Sequence, residues 1–487
     1  MPSNRKEIPF VGPAYQSANV FLNAQQSINY YLEPYPALGR DKFALRGAPG
    51  LSEFIDLGTN AEVRGLLTTS NTLFAVSGSK LFRITTGGVA TEIGSLNSAL
   101  EPVFMALGNL QLMIVDALND GYIHTLSGST LVQITDPNFP GASSVVHQDG
   151  FFVITQPNSF DFNTSDFNDG LSWDPLLFSP ANWKPDNLVA VFSDHRDLYL
   201  GGDESIEVYY NNGNTAGNFI FTRREGTEMQ VGVAAKSSFA WINNGVLWLG
   251  RNENGQGQVF RAIGFQPKIV SSDAITEAIN GYSTISDAIG YSYYIDNNPM
   301  YEITFPTADV TWVFNTSLPP SQGWSERRSR RTVTGRTVTG RHRVQNHAFF
   351  AGKHLMGGMA DGKIYEHTRD AFDEDGTIME ATRTTIAFEA NQDLITVNEL
   401  QVLGTPGAGL TTGQGSDPVA IHSWSHDGGF TFNNERDIKI GKKGEYKDRD
   451  RVLQLGQARN WIFRRKITDA INRDILGGHA IIEVDSA

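Results

Sequence analysis

Glycosidic chemistry needs two carboxylates held roughly 5–10 Å apart across a cleft. The sequence supplies carboxylates freely between residues 194 and 228: Asp194, Asp197, Asp203, Glu204, Glu207, Glu225 and Glu228. Nothing in their spacing pairs any two of them, and on an acidic chain such side chains belong on the solvated surface. The 10 histidines show no His-x-x-x-His and no His/Asp spacing of the kind zinc sites use. A Gly-x-Ser-x-Gly nucleophile elbow and a phosphate-cradling glycine loop are also missing. The complete lack of cysteine removes a thiolate nucleophile, a thiolate metal site and a disulfide framework together. The residues therefore point to no catalytic, metal or cofactor site, and an enzyme reading would rest on fold analogy alone.

Two other patterns stand out. Ser425-His-Asp-Gly-Gly-Phe-Thr-Phe432 resembles the Asp-box turn of sialidases and related propellers, with Phe432 where tryptophan is usual. In such a turn Ser425 opens the motif, Asp427 caps backbone N–H groups, Gly429 fits the tight bend and Phe432 packs beneath. This is a folding device. The second pattern runs from Arg327 to Arg343 and carries Arg327, Arg328, Arg330, Arg331, Arg336, Arg341 and Arg343 with no acid. Within it the pentad Arg-Thr-Val-Thr-Gly occurs twice, at 331–335 and 336–340. One reading is a strand pair that docks on an acidic protein surface, with DNA the less favoured target because the rest of the chain is acidic. The other is a solvated ribbon whose arginines meet the chain's own carboxylates. The stretch Lys439–Arg451 mixes both signs and reads as a loop or an interface rim.

The elements that would position these residues are strands. Runs of β-formers recur, among them Leu73–Ser77, Gln111–Val115, Phe151–Thr155, Asp197–Leu200, Val246–Leu249, Tyr291–Ile295 and His347–Phe350, mostly bounded by Asn-Gly or Asp-Gly. Those dipeptides supply the positive φ angles of tight hairpins. Taking Leu73, Leu110, Gly150, Asp197, Val246, Tyr291 and Ala348 as anchors gives a period of about 40–50 residues, the spacing of propeller blades. An irregular sandwich is the alternative. The expected fold is all-β: a β-propeller of about six to seven degenerate blades over 53–385, an N-terminal arm with loops over 1–52, and a C-terminal β-sandwich-like domain over 386–487. Asp370–Glu380 reads as the linker. The 487 residues carry 39 Lys and Arg against 53 Asp and Glu, a formal charge of −14, which argues against a general nucleic-acid binder. The start lacks a signal-peptide core and no stretch approaches the roughly 18 apolar residues of a membrane span, so no membrane partner is expected.

Assembled in order, several segments resemble the tail hub, or nozzle, proteins of short-tailed bacteriophages, also called packaged-DNA stabilisation proteins. They are Asn19–Tyr31 with Leu45–Leu51, Asp186–Tyr210, Ala360–Tyr365, Ser425–Phe432 with Glu435 and Arg436, and Gly444–Tyr446 with Arg451 and Leu455–Arg459. The resemblance implies a propeller-containing structural virion protein without catalytic residues. It implies a homo-hexamer below the portal and adaptor ring that extends the DNA channel, retains the packaged genome, lets double-stranded DNA pass non-specifically, and anchors tailspikes or tail fibres and a needle or plug. Assembly in the host cytoplasm suits a chain without cysteine. The competing readings are a propeller glycosidase, which would lose turnover with one or two carboxylates, and a carbohydrate-binding propeller, which would bind glycan as a monomer.

Overall fold

The structure is a computed structural model that describes residues 5–17, 19, 23–34, 43–184, 186–213, 219–252 and 254–485. Val20–Leu22 of the Asn19–Tyr31 run and Pro36 lie outside the described residues. Seven antiparallel meander sheets, taken here as blades 1 to 7, follow one another along the chain. Blades 1 to 4 are four-stranded and open at Val63–Thr68, Phe104–Leu107, Ser144–Gln148 and Leu188–Asp194. Blade 5 is built around Gly245–Arg251, and blade 6 runs from Ile289–Ile295 to Trp324–Arg327. Blade 7 takes Val344–Phe350, Lys353–Gly358 and Lys363–Thr368 and borrows its fourth strand, Gly50–Asp56, from before blade 1. Its first strand packs on that of blade 1, so the ring closes through a pairing of sequence-distant segments and leaves no open end.

The β-former runs have a physical reason to be continuous rather than alternating. Leu73–Val76, Leu112–Val115, Phe152–Ile154, Leu198–Leu200 and Val246–Leu249 lie in the second strands of their blades, and all are buried on both faces. A second strand is covered by the blade before it and the blade after it, so neither face can be polar. Two anchors mark a different strand. Tyr291–Ile295 and His347–Phe350 lie in first strands, and the stretch from Tyr291 to Ala348 exceeds the period because it carries the ribbon Ser329–Gly340 between blades 6 and 7.

The described residues between 5 and 50 build strands of two sheets rather than the looped arm expected over 1–52. Tyr30–Pro34 and Phe43–Gly47 join Ile475–Asp485, Leu394–Gly404 and Asp450–Ala458 in one sheet. Ala24–Ile28 joins Ala381–Thr384, Asn460–Ile467, Val419–Ser425 and Arg436–Lys439 in the other. Between the two sheets lie Phe10, Tyr30, Leu45, Ile395, Trp424, Trp461 and Phe463. The sandwich core thus needs apolar residues from both chain ends, which is why the N-terminal strands cannot stay free. Strand pairing also puts Ala381–Thr384 in the sandwich, so the change of sheet falls just after Asp370–Glu380 rather than at 386. A parallel pairing of Ile28 with Glu326 fuses the second sandwich sheet to the outer strand of blade 6.

Candidate functional site

The propeller axis opens into a cavity of about 530 Å³ lined by residues of six blades, among them Glu62, Glu101, Asp203, Lys236, Arg251 and Arg341. Lys236 Nζ lies 3.3 Å from Glu101 Oε2, an ion pair that ties the start of blade 2 to blade 5. Beneath it the buried Arg64 donates to the carbonyls of Gly78, Ser98, Leu100 and Glu101, fixing the loop in which Glu101 takes a φ of 60°. Burial pushes the Glu62 carboxyl above its ordinary value, against a hydrogen bond from Gln345. The carboxylates between 194 and 228 do not converge here. Asp203 faces the axis, Asp194 pairs with His195, Asp197 with Arg224, Glu204 with Lys184, Arg223 lies near both Glu207 and Glu228, and buried Glu207 accepts from Trp183 N and Tyr209.

A second polar cluster lies buried between blades 6 and 7. Glu302 accepts from Tyr291 at 2.6 Å and Tyr293 at 2.7 Å, and His342 Nδ1 lies 2.6 Å from its Oε1. Burial alone would raise the Glu302 carboxyl, but His342 and Arg327 hold it down at about 2. His342 Nε2 lies 3.8 Å from Glu374, whose carboxyl burial raises. Ser329 donates to Glu374 Oε1, while Glu374 Oε2, Arg327 Nε and Nη2 and His367 Nε2 have no partner within hydrogen-bond geometry among the described residues. Sequence reading missed this cluster. The signal was a single glutamate inside the apolar strand Asn298–Phe305.

From that cluster rises the arginine segment. Ser329–Val333 pairs antiparallel with Arg336–Gly340, Arg331 opposite Val338, Thr332 opposite Thr337 and Val333 opposite Arg336. The tandem pentad is therefore one hairpin, each copy forming one strand. Its two glycines serve different ends. Gly335 closes the turn at φ 76°, and Gly340 sits where a Cβ would strike Asp309. Arg328 pairs with Glu326, Arg330 with Glu380, Arg331 with Asp309 and Arg343 with Asp361. Arg341 donates to Gln345. Arg327, expected as an interface residue, is only 1% exposed and donates to the Tyr30 carbonyl; a guanidinium buried between blade and sandwich meets no partner protein. Arg336 at the tip is exposed, with no ion pair among the described residues.

At Ser425–Phe432 the Asp427 carboxylate accepts from Thr431 N and Oγ1 and from Ser425 Oγ, and Ser425 Oγ accepts from Gly429 N. Gly429 has a φ of 98°. The Arg464 guanidinium lies 3.5 Å from the centroid of the Phe432 ring. Nearby, Asp450 accepts from His422 at 2.5 Å and Arg465 at 2.6 Å, all three buried. In the Lys439–Arg451 stretch, Lys439 pairs with Asp417 and Arg451 with Glu399.

Two family models match the chain in order. One, described as bacteriophage P22 Gp10, beta-propeller, matches residues 6–371; the other, described as bacteriophage P22 Gp10, beta-sandwich, matches residues 380–483. No curated protein matches. Among solved structures, YCF48 from Cyanidioschyzon merolae is 13% identical with a TM-score of 0.41, covering 66% of this chain and 99% of that one. The WD40 beta propeller domain of Doa1 is 9% identical at 0.37, covering 66% and 97%. The computationally designed Ika8 protein is 12% identical at 0.36, covering 71% and 100%.

Proposed function

The chain belongs to the bacteriophage P22 Gp10 family, the tail hub or nozzle proteins of short-tailed phages, and from that premise we propose that it forms the hexameric ring below the portal and adaptor. It is a structural protein of the phage tail. In the proposed ring the copies extend the DNA channel, retain the packaged genome, and carry tailspikes or fibres and a needle or plug. The chain performs no catalysis, and assembly takes place in the host cytoplasm.

The observation that carries this reading is the succession of both family models over almost the whole chain. The Lys236–Glu101 pair lies in the propeller's own axial cavity, which supports a DNA path along the axis of the ring of copies rather than through a single propeller. The two parts would stay rigid relative to each other, because the sandwich sheet continues blade 6. A charge of −14 per copy favours a wall along which DNA slides, and it opposes ring closure at low salt. The isolated chain is therefore expected to be a monomer in dilute, low-salt solution, with rings templated by the adaptor. Imaging of assembled tails tests the reading: six copies around the DNA axis are expected, and another count, or a place on the capsid shell, overturns it.

A further inference from the structure

The ribbon Ser329–Gly340 stands over a cavity of about 760 Å³ bounded by Arg330, Arg331, Thr332 and Val333 on one side and by Ala360 and Thr377 on the other. Successive side chains of a strand point to opposite faces. Four consecutive residues of one strand border the cavity together with Thr337 of the facing strand, so it reaches along one face of the ribbon to the edge of Ser329–Val333. The turn geometry then tells which backbone groups face it. A two-residue turn, Thr334-Gly335, closes the hairpin at Val333 and Arg336, so in an antiparallel ladder Val333, Arg331 and Ser329 exchange bonds with the opposite strand. Arg330 and Thr332 turn their N–H and C=O outward. Neither takes a backbone partner among the described residues; the loops at 359–361 and 376–378 stand across the cavity without pairing to this edge, and no proline interrupts it.

We propose that the Ser329–Val333 edge is a docking site for an extended, acidic segment of a partner protein, which adds to the ribbon as a third strand. Backbone pairing at Arg330 and Thr332 supplies the register. Charge selects the occupant. The segment from Arg327 to Arg343 holds seven arginines and no acid, and after its ion pairs with the chain's own carboxylates Arg336 remains exposed at the tip. A carboxylate on the incoming strand would share Arg330, which is itself half-buried beside Glu380, and near the tip it would feel the field of the exposed Arg336. The proposal stands on the ribbon alone and does not depend on the tail reading.

The test uses the full chain and a fluorescent, end-capped peptide of alternating Val and Glu, read by anisotropy. Saturable binding that weakens with salt is expected. The same peptide methylated on alternate backbone nitrogens, and its Val/Lys counterpart, are each expected to bind at least about tenfold more weakly, a loss of about 1.4 kcal/mol. Thr332→Pro, which removes an outward N–H without touching the hairpin's own ladder, and Arg336→Ser should each weaken binding of the parent peptide. Equal binding of the methylated or lysine peptide overturns the proposal, as does an absence of binding to the parent peptide. The peptide arms need no variant, so a folding failure of Thr332→Pro leaves the outcome decided. Association of the chain with itself that Thr332→Pro abolishes would replace the partner by a second copy and also overturn it.

Discussion

In the sandwich, Asp450 holds one oxygen against His422 and the other against Arg465; between blades 6 and 7, Glu374 has one oxygen on Ser329 and the other without a hydrogen-bond partner among the described residues. Both carboxylates are buried, yet the first is a closed unit and the second is not. An unpartnered buried polar group costs roughly 1–3 kcal/mol, and the seam holds several: Glu374 Oε2, His367 Nε2 and two N–H groups of Arg327. The difference teaches that polar burial does opposite things in the two parts. It locks the sandwich sheets together, and it leaves the seam, from which the ribbon rises, as the softer place in the fold.

The largest expected effect breaks the closed unit. Asp450→Ala would strand His422 and Arg465 in a dry core, and removing one partner of a buried ion pair typically costs about 3–5 kcal/mol. Urea unfolding should show the loss. Acid should reproduce it: burial would raise the Asp450 carboxyl, but His422 and Arg465 hold it at about 2. With the folded value depressed, the stabilisation is complete above the ordinary aspartate range and is lost as pH falls toward 2. A loss below about 1 kcal/mol would mean that the sandwich cluster is no more a lock than the seam.

Glu374→Gln should do the reverse. Burial raises the Glu374 carboxyl despite His342, Arg343 and Arg473 nearby, so the fold prefers it protonated. Its contribution is present below the ordinary glutamate value of about 4.3 and declines as pH rises through the folded value. Glutamine keeps the acceptor for Ser329 and removes the charge. At neutral pH the variant is expected to be neutral or more stable by up to about 1 kcal/mol, with the gain vanishing below pH 4. Unfolding midpoints of both proteins at neutral and acid pH check this; a clear destabilisation at neutral pH would make Glu374 a lock like Asp450.

Asp427→Ala sharpens the comparison from the surface. Its carboxylate is as well partnered as that of Asp450, with bonds from Ser425 and Thr431, but it lies half-exposed. Water replaces lost partners there, so the expected cost is about 1–2 kcal/mol. Thermal unfolding measures it, and a cost matching Asp450→Ala would show that saturation rather than burial sets the scale.

What could be read in the sequence follows from which contacts are local. Blade periodicity and hairpin turns are written in neighbouring residues, so the propeller was legible. Ring closure by Gly50–Asp56, the sharing of Tyr30 and Leu45 with the sandwich, and the meeting of Glu302, His342 and Glu374 are pairings across long sequence separations. No local pattern specifies them. The arginine segment lay between these cases. Its doubling was visible, but only the folded contacts show that four of its seven arginines are spent on Glu326, Glu380, Asp309 and Asp361.

The smallest expected effect probes how far the softness of the seam extends into the ribbon. Repeating the pentad puts Thr334 in the turn beside Gly335, with φ angles of 47° and 76°. Both central residues of such a turn need positive φ, which asparagine tolerates and a β-branched side chain does not. Strain of this kind costs of order 1 kcal/mol, less at an exposed tip that can relax. Thr334→Asn should therefore stabilise the ribbon by about 0.5–1 kcal/mol, and Gly335→Ala should destabilise it. The readout is hydrogen exchange at the amides of Arg331, Val333, Arg336 and Val338, which bond across the hairpin. If the ribbon opens by itself, protection rises there alone and the global unfolding midpoint stays put. A matching rise at the Tyr291–Ile295 strand would mean that ribbon and seam open together, so that strain at the tip is felt at Glu302 and Glu374.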